Sequence, residues 1–151
     1  KEYTITFAAN KKTLTRKELF DWSQESDEQI RYYSGTATYK TTFRWKNKPN
    51  KDQQIYLNLG TVYNLATVRV NGVDCGTIWT APYRADITGA LKKGINELEI
   101  EVTNTWANAL TGADEGKAPF DGIWTNAKYR RAEKPLLPAG LLGPLSFSTT
   151  E

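Results

Sequence analysis

Trp79, Tyr83 and Arg84 stand close together in the stretch GTIWTAPYRADIT, from Gly76 to Thr88. Two other tryptophans lie in segments rich in small polar residues: Trp106 in TNTWANALTG, beside Asn108, and Trp124 in FDGIWTNAKYRR, beside Asp121. Aromatic rings next to planar polar groups are the equipment for holding a sugar: the C–H face stacks on the ring while amide, carboxylate and guanidinium groups take paired hydroxyls. The candidate site is therefore Trp79, Tyr83, Trp106 and Trp124 as stacking platforms, with Arg84, Asn108 and Asp121 as polar partners. The competing reading is that these rings plug the ends of a sandwich. Trp22 and Trp45 are read as core residues, Trp45 because it sits in an alternating strand.

Catalytic alternatives are few. The chain has no histidine, which removes a Ser-His-Asp triad, a Cys-His pair and a histidine zinc site. Neither a dinucleotide-binding glycine motif nor a phosphate-binding loop occurs. Glycoside hydrolysis needs two carboxyl groups flanking one bond, and Asp86, Asp114, Glu115 and Asp121 fall in expected loops with no spacing that pairs any two. They are read as solvated or turn-capping groups. No calcium-loop motif is present, and no cofactor or metal is expected.

The elements that must carry these residues are strands. Tyr3, Ile5 and Phe7 alternate with Thr4 and Thr6, and TATYKTTFRW sets Ala37, Tyr39, Thr41, Phe43 and Trp45 against polar neighbours. Ile55, Leu57 and Leu59 share a face, as do Leu98, Ile100 and Val102 opposite Glu97, Glu99 and Glu101. Such strands build antiparallel sheets with one packed and one wet face. Asn71-Gly72, between Val68-Arg69-Val70 and Val73, predicts a hairpin with a two-residue type I′ turn. TGALKKG predicts one helical turn capped by Thr88, stopped by Gly94 and burying Leu91. Thr15 and Glu18 fit a capping box, which predicts a second short helix. The stretch Ala132 to Pro144 predicts an irregular crossing before a last strand at Leu145 to Phe147. The whole reads as an all-β, antiparallel two-sheet β-sandwich of low helical content.

A chain of 151 residues with 39% hydrophobic and 25% charged residues fits one domain spanning 1–151. Net charge is +3 with scattered basic residues, so no nucleic-acid partner is expected. No apolar run reaches the ~20 residues that span a bilayer, so no membrane partner is expected either. The single Cys75 cannot form an internal bridge. A start at Lys1 is read as a piece of a longer protein.

YYSGTATYKTTF, the block from LNLGTVYN through VRVNGVDCGTIWTAPYRADIT and GINELEIEV to TNTW, and LLPAGLLGP together resemble the C-terminal β-sandwich module of bacterial glycoside hydrolases of family 106, the α-L-rhamnosidases. The middle block is also similar to the sugar-binding jelly-roll domain of family 2 glycosidases, of the galactose-binding-like fold. The resemblance runs from Phe20 to Phe147. It implies a non-catalytic accessory module, in a periplasmic or secreted bacterial enzyme, that binds carbohydrate or packs against the catalytic domain of the same chain. It carries over no catalytic residue. It also implies that Val70-Asn71-Gly72 and Asp86-Ile87-Thr88 are architecture, with the Asp86 carboxylate satisfying turn amides.

Overall fold

The structure is a computed structural model that describes residues 2–47, 49, 51–105, 107–114 and 136–150. The alternating segments form strands with the expected inner faces. In β1 (Tyr3–Phe7) the aromatic and aliphatic positions are buried and both threonines exposed. β3 (Thr36–Trp45) buries Ala37, Tyr39 and Phe43, and β9 (Gly94–Thr103) buries Leu98, Ile100 and Val102. With β2 (Lys12–Arg16), β6 (Leu65–Val70) and β7 (Val73–Ile78) these make a six-stranded antiparallel sheet in the order β2-β1-β3-β9-β6-β7.

The facing layer is split. β4 (Gln54–Asn58), β8 (Arg84–Asp86) and β11 (Ser146–Thr150) pair in the order β11-β4-β8, and β5 (Thr61–Tyr63) pairs with β10 (Gly140–Gly143). Ile55, Leu57 and Leu59 turn inward from this layer. The antiparallel sandwich of the sequence reading is thus present, as an all-β fold.

Local chemistry sets the corners. The β6–β7 hairpin turns through Asn71 (φ 53°) and Gly72 (φ 78°), the left-handed pair that a type I′ turn requires. Along that hairpin the register shifts between Thr67 and Arg69, because Cys75 and Gly76 of β7 share the place opposite Val68. Gly76, at φ 111°, accommodates this bulge,. The expected helical turn is a 3₁₀ turn at Thr88–Ala90 with Leu91 buried after it. Thr88 does not cap the turn as expected but lies inside it, after Ile87, and Asp86 accepts hydrogen bonds from both the Thr88 amide (3.0 Å) and hydroxyl (2.6 Å).

Three expectations are corrected. Thr15 does not cap a helix: it pairs with Thr4 in β2, where the alternation of Lys12–Arg16 lets β1 take it as a neighbour. The helical starts lie later, at Asp21, which accepts from the Ser23 amide, and at Asp27, which caps α1 (Glu28–Arg31). The stretch read as an irregular crossing contains β10, and the last strand runs further than expected, through Thr150. An unforeseen helix, α2 (Ala107–Asp114), follows β9.

The core centres on Trp22, Tyr33, Tyr39 and Phe7, all essentially buried. Phe7, Trp22 and Tyr33 pack edge to face with centroids 4.8–5.6 Å apart, each pair contributing roughly 0.5–1.5 kcal/mol beyond area burial. The Tyr39 hydroxyl joins the layers: it accepts the Trp22 indole N–H (2.8 Å) and the Leu141 amide of β10 (3.2 Å). Burial pushes the Tyr39 phenol up to about 12. The neutral phenol is the folded form, so the stability it contributes is complete below its unfolded value near 10 and is lost as pH rises toward 12,.

Spectrophotometric titration at 295 nm should therefore show one tyrosine ionising well above the exposed ones, with unfolding following its ionisation. Tyr39→Phe, which orphans two buried donors, should cost roughly 1–3 kcal/mol per donor in urea denaturation.

Candidate functional site

The loop after β7 carries the first three candidate residues and sends them to different places. Ile78 pairs with Ala66 at the end of the large sheet, and the chain then crosses through a cis Ala81-Pro82 bond to the facing layer. Trp79 points outward, 70% exposed. Tyr83 packs, half-buried, against the core, while its carbonyl accepts the Leu59 amide at 2.7 Å. Arg84 opens β8 opposite Asn58, and its guanidinium lies 4.3 Å from the centroid of the Tyr56 ring, its diagonal neighbour on the same face. Such an exposed cation–π contact is worth about 0.5–1 kcal/mol. Arg84 thus already caps an aromatic face, one that sequence reasoning did not single out.

Asn108 sits elsewhere. It is 2% exposed on α2, its carbonyl oxygen accepts the Leu137 amide (2.9 Å), and its amide nitrogen donates to the Leu137 carbonyl (2.7 Å). That is a strand-like clamp on the backbone, which holds Asn108 in the interior. Trp106, Asp121 and Trp124 lie outside the described residues, as does Glu115.

Other asparagines act in the same way. The buried Asn96 accepts from the Lys92 amide, donates to the carbonyls of Lys92 and Gly94, and receives the Asn71 amide at 2.8 Å. Asn71 in turn reaches the Ala90 carbonyl and accepts from the Glu97 amide. Asn104 bridges Gly35 and Tyr33. The Val-Asn-Gly, Gly-x-Asn and Thr-Asn-x-Trp motifs thus each place an amide where a turn leaves backbone groups unpaired.

Among the described residues, at least two clefts indent the surface. One, about 760 Å³, opens at the end of the sandwich where β3 stops, lined by Arg44, Trp45, Lys46, Asn47, Gln53 and Thr149 among others. Trp45 forms part of its wall, half-buried and edge-on to Phe147 at 5.0 Å. The other, about 600 Å³, lies on the outer face of the large sheet, where Glu2, Glu97, Glu99, Lys40 and Arg69 meet. Its cations are engaged: Arg69 pairs with Glu101 (2.6 Å) and Glu99 (3.4 Å), and Lys40 with Glu99 (3.6 Å). Trp79, Tyr83 and Arg84 line neither cleft. Sequence reasoning missed the end cleft; its signal was the run Arg44-Trp45-Lys46-Asn47 at a strand end, where aromatic, cationic and amide groups coincide.

The family model described as glycosyl hydrolase 2 galactose-binding domain-like matches residues 7–134. The chain belongs to that family. Among solved structures, this galactose-binding-like domain superposes on a rhamnosidase from Novosphingobium sp. PP1Y with a TM-score of 0.91 and 40% identity, over 99% of this chain and 14% of that one. It is 38% identical over 155 residues to a putative beta-glucuronidase of Formosa agariphila, spanning 87% of this chain and 13% of that protein. A beta-glucuronidase from Ruminococcus gnavus shares the fold, with a TM-score of 0.58 over 69% of this chain. The domain therefore corresponds to a small part of much longer glycosidases.

Because Asn108 clamps the interior while Trp79 stands in solvent, Asn108→Ala should lower the unfolding free energy by roughly 1–3 kcal/mol. Trp79→Ala should change it by less than about 0.5 kcal/mol. Equal effects in paired urea melts would contradict this division.

Proposed function

We propose that this domain is a non-catalytic accessory module of a longer glycoside hydrolase of the α-L-rhamnosidase kind, and that its Trp79–Arg84 loop docks on the rest of that enzyme. The observation that carries the reading is the likeness to the Novosphingobium rhamnosidase, which takes in 99% of this chain but 14% of that one. The chemistry agrees. Histidine is lacking, and three carboxylates among the described residues are spent on structure. Asp21 takes the Ser23 amide and hydroxyl and the Ala139 amide. Asp27 caps α1 and pairs with Lys12, and Asp86 holds the 3₁₀ turn.

Docking suits the loop better than sugar binding because its groups do not converge. Trp79 offers an exposed apolar surface, Tyr83 is spent on the core, and Arg84 is stacked on Tyr56. A ring that loses its water against a neighbouring domain contributes more than one standing free in solvent.

The isolated chain should show no turnover of 4-nitrophenyl α-L-rhamnoside; measurable hydrolysis would overturn the non-catalytic reading. In the parent enzyme, Trp79→Ala should lower the thermal midpoint while leaving that of the isolated chain unchanged. Loss of the same size in both would sink the docking role.

A further inference from the structure

We propose that the end cleft walled by Trp45 binds a carboxylated saccharide, a segment of glycan containing uronic acid. The proposal rests on the reading of the chain as an accessory module of a glycoside hydrolase, and it adds a ligand and a site that the Trp79 loop does not supply. Its volume of about 760 Å³ lies within the roughly 300–1,000 Å³ of small-molecule sites. Its wall holds an aromatic ring for a sugar face, the amides of Asn47 and Gln53, and the hydroxyl of Thr149.

The charge decides the ligand class. Arg44 and Lys46 line the cleft, and among the described residues no carboxylate lines it and neither cation has an ion-pair partner. The outer-face cleft has the opposite character, since Glu2, Glu97 and Glu99 line it and its two cations are bound to glutamates. An anionic ligand is therefore favoured at the end cleft and opposed at the other. A guanidinium matches a carboxylate in two parallel hydrogen bonds, and an ammonium adds a point charge beside it.

The ring is held ready. Trp45 meets Phe147 edge to face at 5.0 Å and Phe43 at 6.5 Å, so the contacts that seat it come from both layers of the sandwich. A wall fixed before the ligand arrives reduces the ordering cost of binding.

The test is a calorimetric and tryptophan-fluorescence titration of the 151-residue chain with trigalacturonate, its methyl ester, galactotriose and sodium sulfate. Saturable binding of trigalacturonate is expected, at least about ten-fold tighter than binding of the ester or galactotriose. The Arg44→Ala/Lys46→Ala variant should lose about ten-fold in affinity with an unchanged thermal midpoint. Should that variant fail to fold, weakening of the native chain's binding by added salt takes its place. Absence of saturable binding, equal binding of the neutral sugars, or salt-independent binding overturns the proposal. Sulfate binding as tightly as trigalacturonate reduces the site to a simple anion site and overturns it too. Hydrolysis of the rhamnoside by the isolated chain overturns the accessory-module reading instead, so the two failures are told apart.

Discussion

A phenolic oxygen buried between the layers is what much of this sandwich is arranged around. The Trp22 indole N–H and the Leu141 amide converge on the Tyr39 hydroxyl, and both donors are too deep for water to serve. Leaving either unpaired costs more than an ordinary hydrogen bond gains. The segment before α1, the central strand β3 and the late strand β10 are therefore held in one relative position by a single atom. Trp22 is then set edge-on to Phe7 and Tyr33, and the Tyr33 hydroxyl extends the ordering to the β1–β2 connection by accepting the Ala9 amide. Polar satisfaction supplies directionality here that apolar burial alone does not.

The same logic runs through the asparagines. A sandwich must turn its chain repeatedly, and each turn leaves amides and carbonyls without ladder partners. Asn71 and Asn96 meet each other and between them hold the hairpin, the start of β9 and the carbonyl that ends the 3₁₀ turn. The motifs that gave the sequence its resemblance to glycosidase modules are largely this scaffolding. Family likeness therefore speaks strongly to fold and weakly to ligand, because many of the residues that carry it hold turns together.

What could be read from the sequence follows from how local each signal is. The hairpin was legible because Asn71-Gly72 is a self-contained turn signal, and β1, β3 and β9 because alternation needs no knowledge of the partner strand. Thr15 misled because a serine-or-threonine and glutamate spacing fits a helix start equally well until β1 claims the segment as a neighbour. Helix α2 was hidden because its Asn108 is fixed by Leu137, far away in sequence. The Arg84–Tyr56 stack depends on the β4–β8 register, and the end cleft joins Trp45 to Thr149 from the last strand. No periodicity encodes such meetings. The sites are less legible than the scaffold for the same reason, since a site is assembled from segments that only the finished topology brings together.

The bulge at Cys75–Gly76 bears on how such a domain behaves among copies of itself. β7 forms one border of the large sheet, and a straight border strand offers free amides and carbonyls to any passing chain. Here the register slips by one residue and Gly76 turns left-handed, with its amide taken by the Asp74 carboxylate at 2.7 Å. An incoming strand meets an uneven row of groups, one of them already occupied. The irregularity thus protects against aggregation, letting a β-rich unit be made at high local concentration, or joined to other domains, without zipping onto its neighbours.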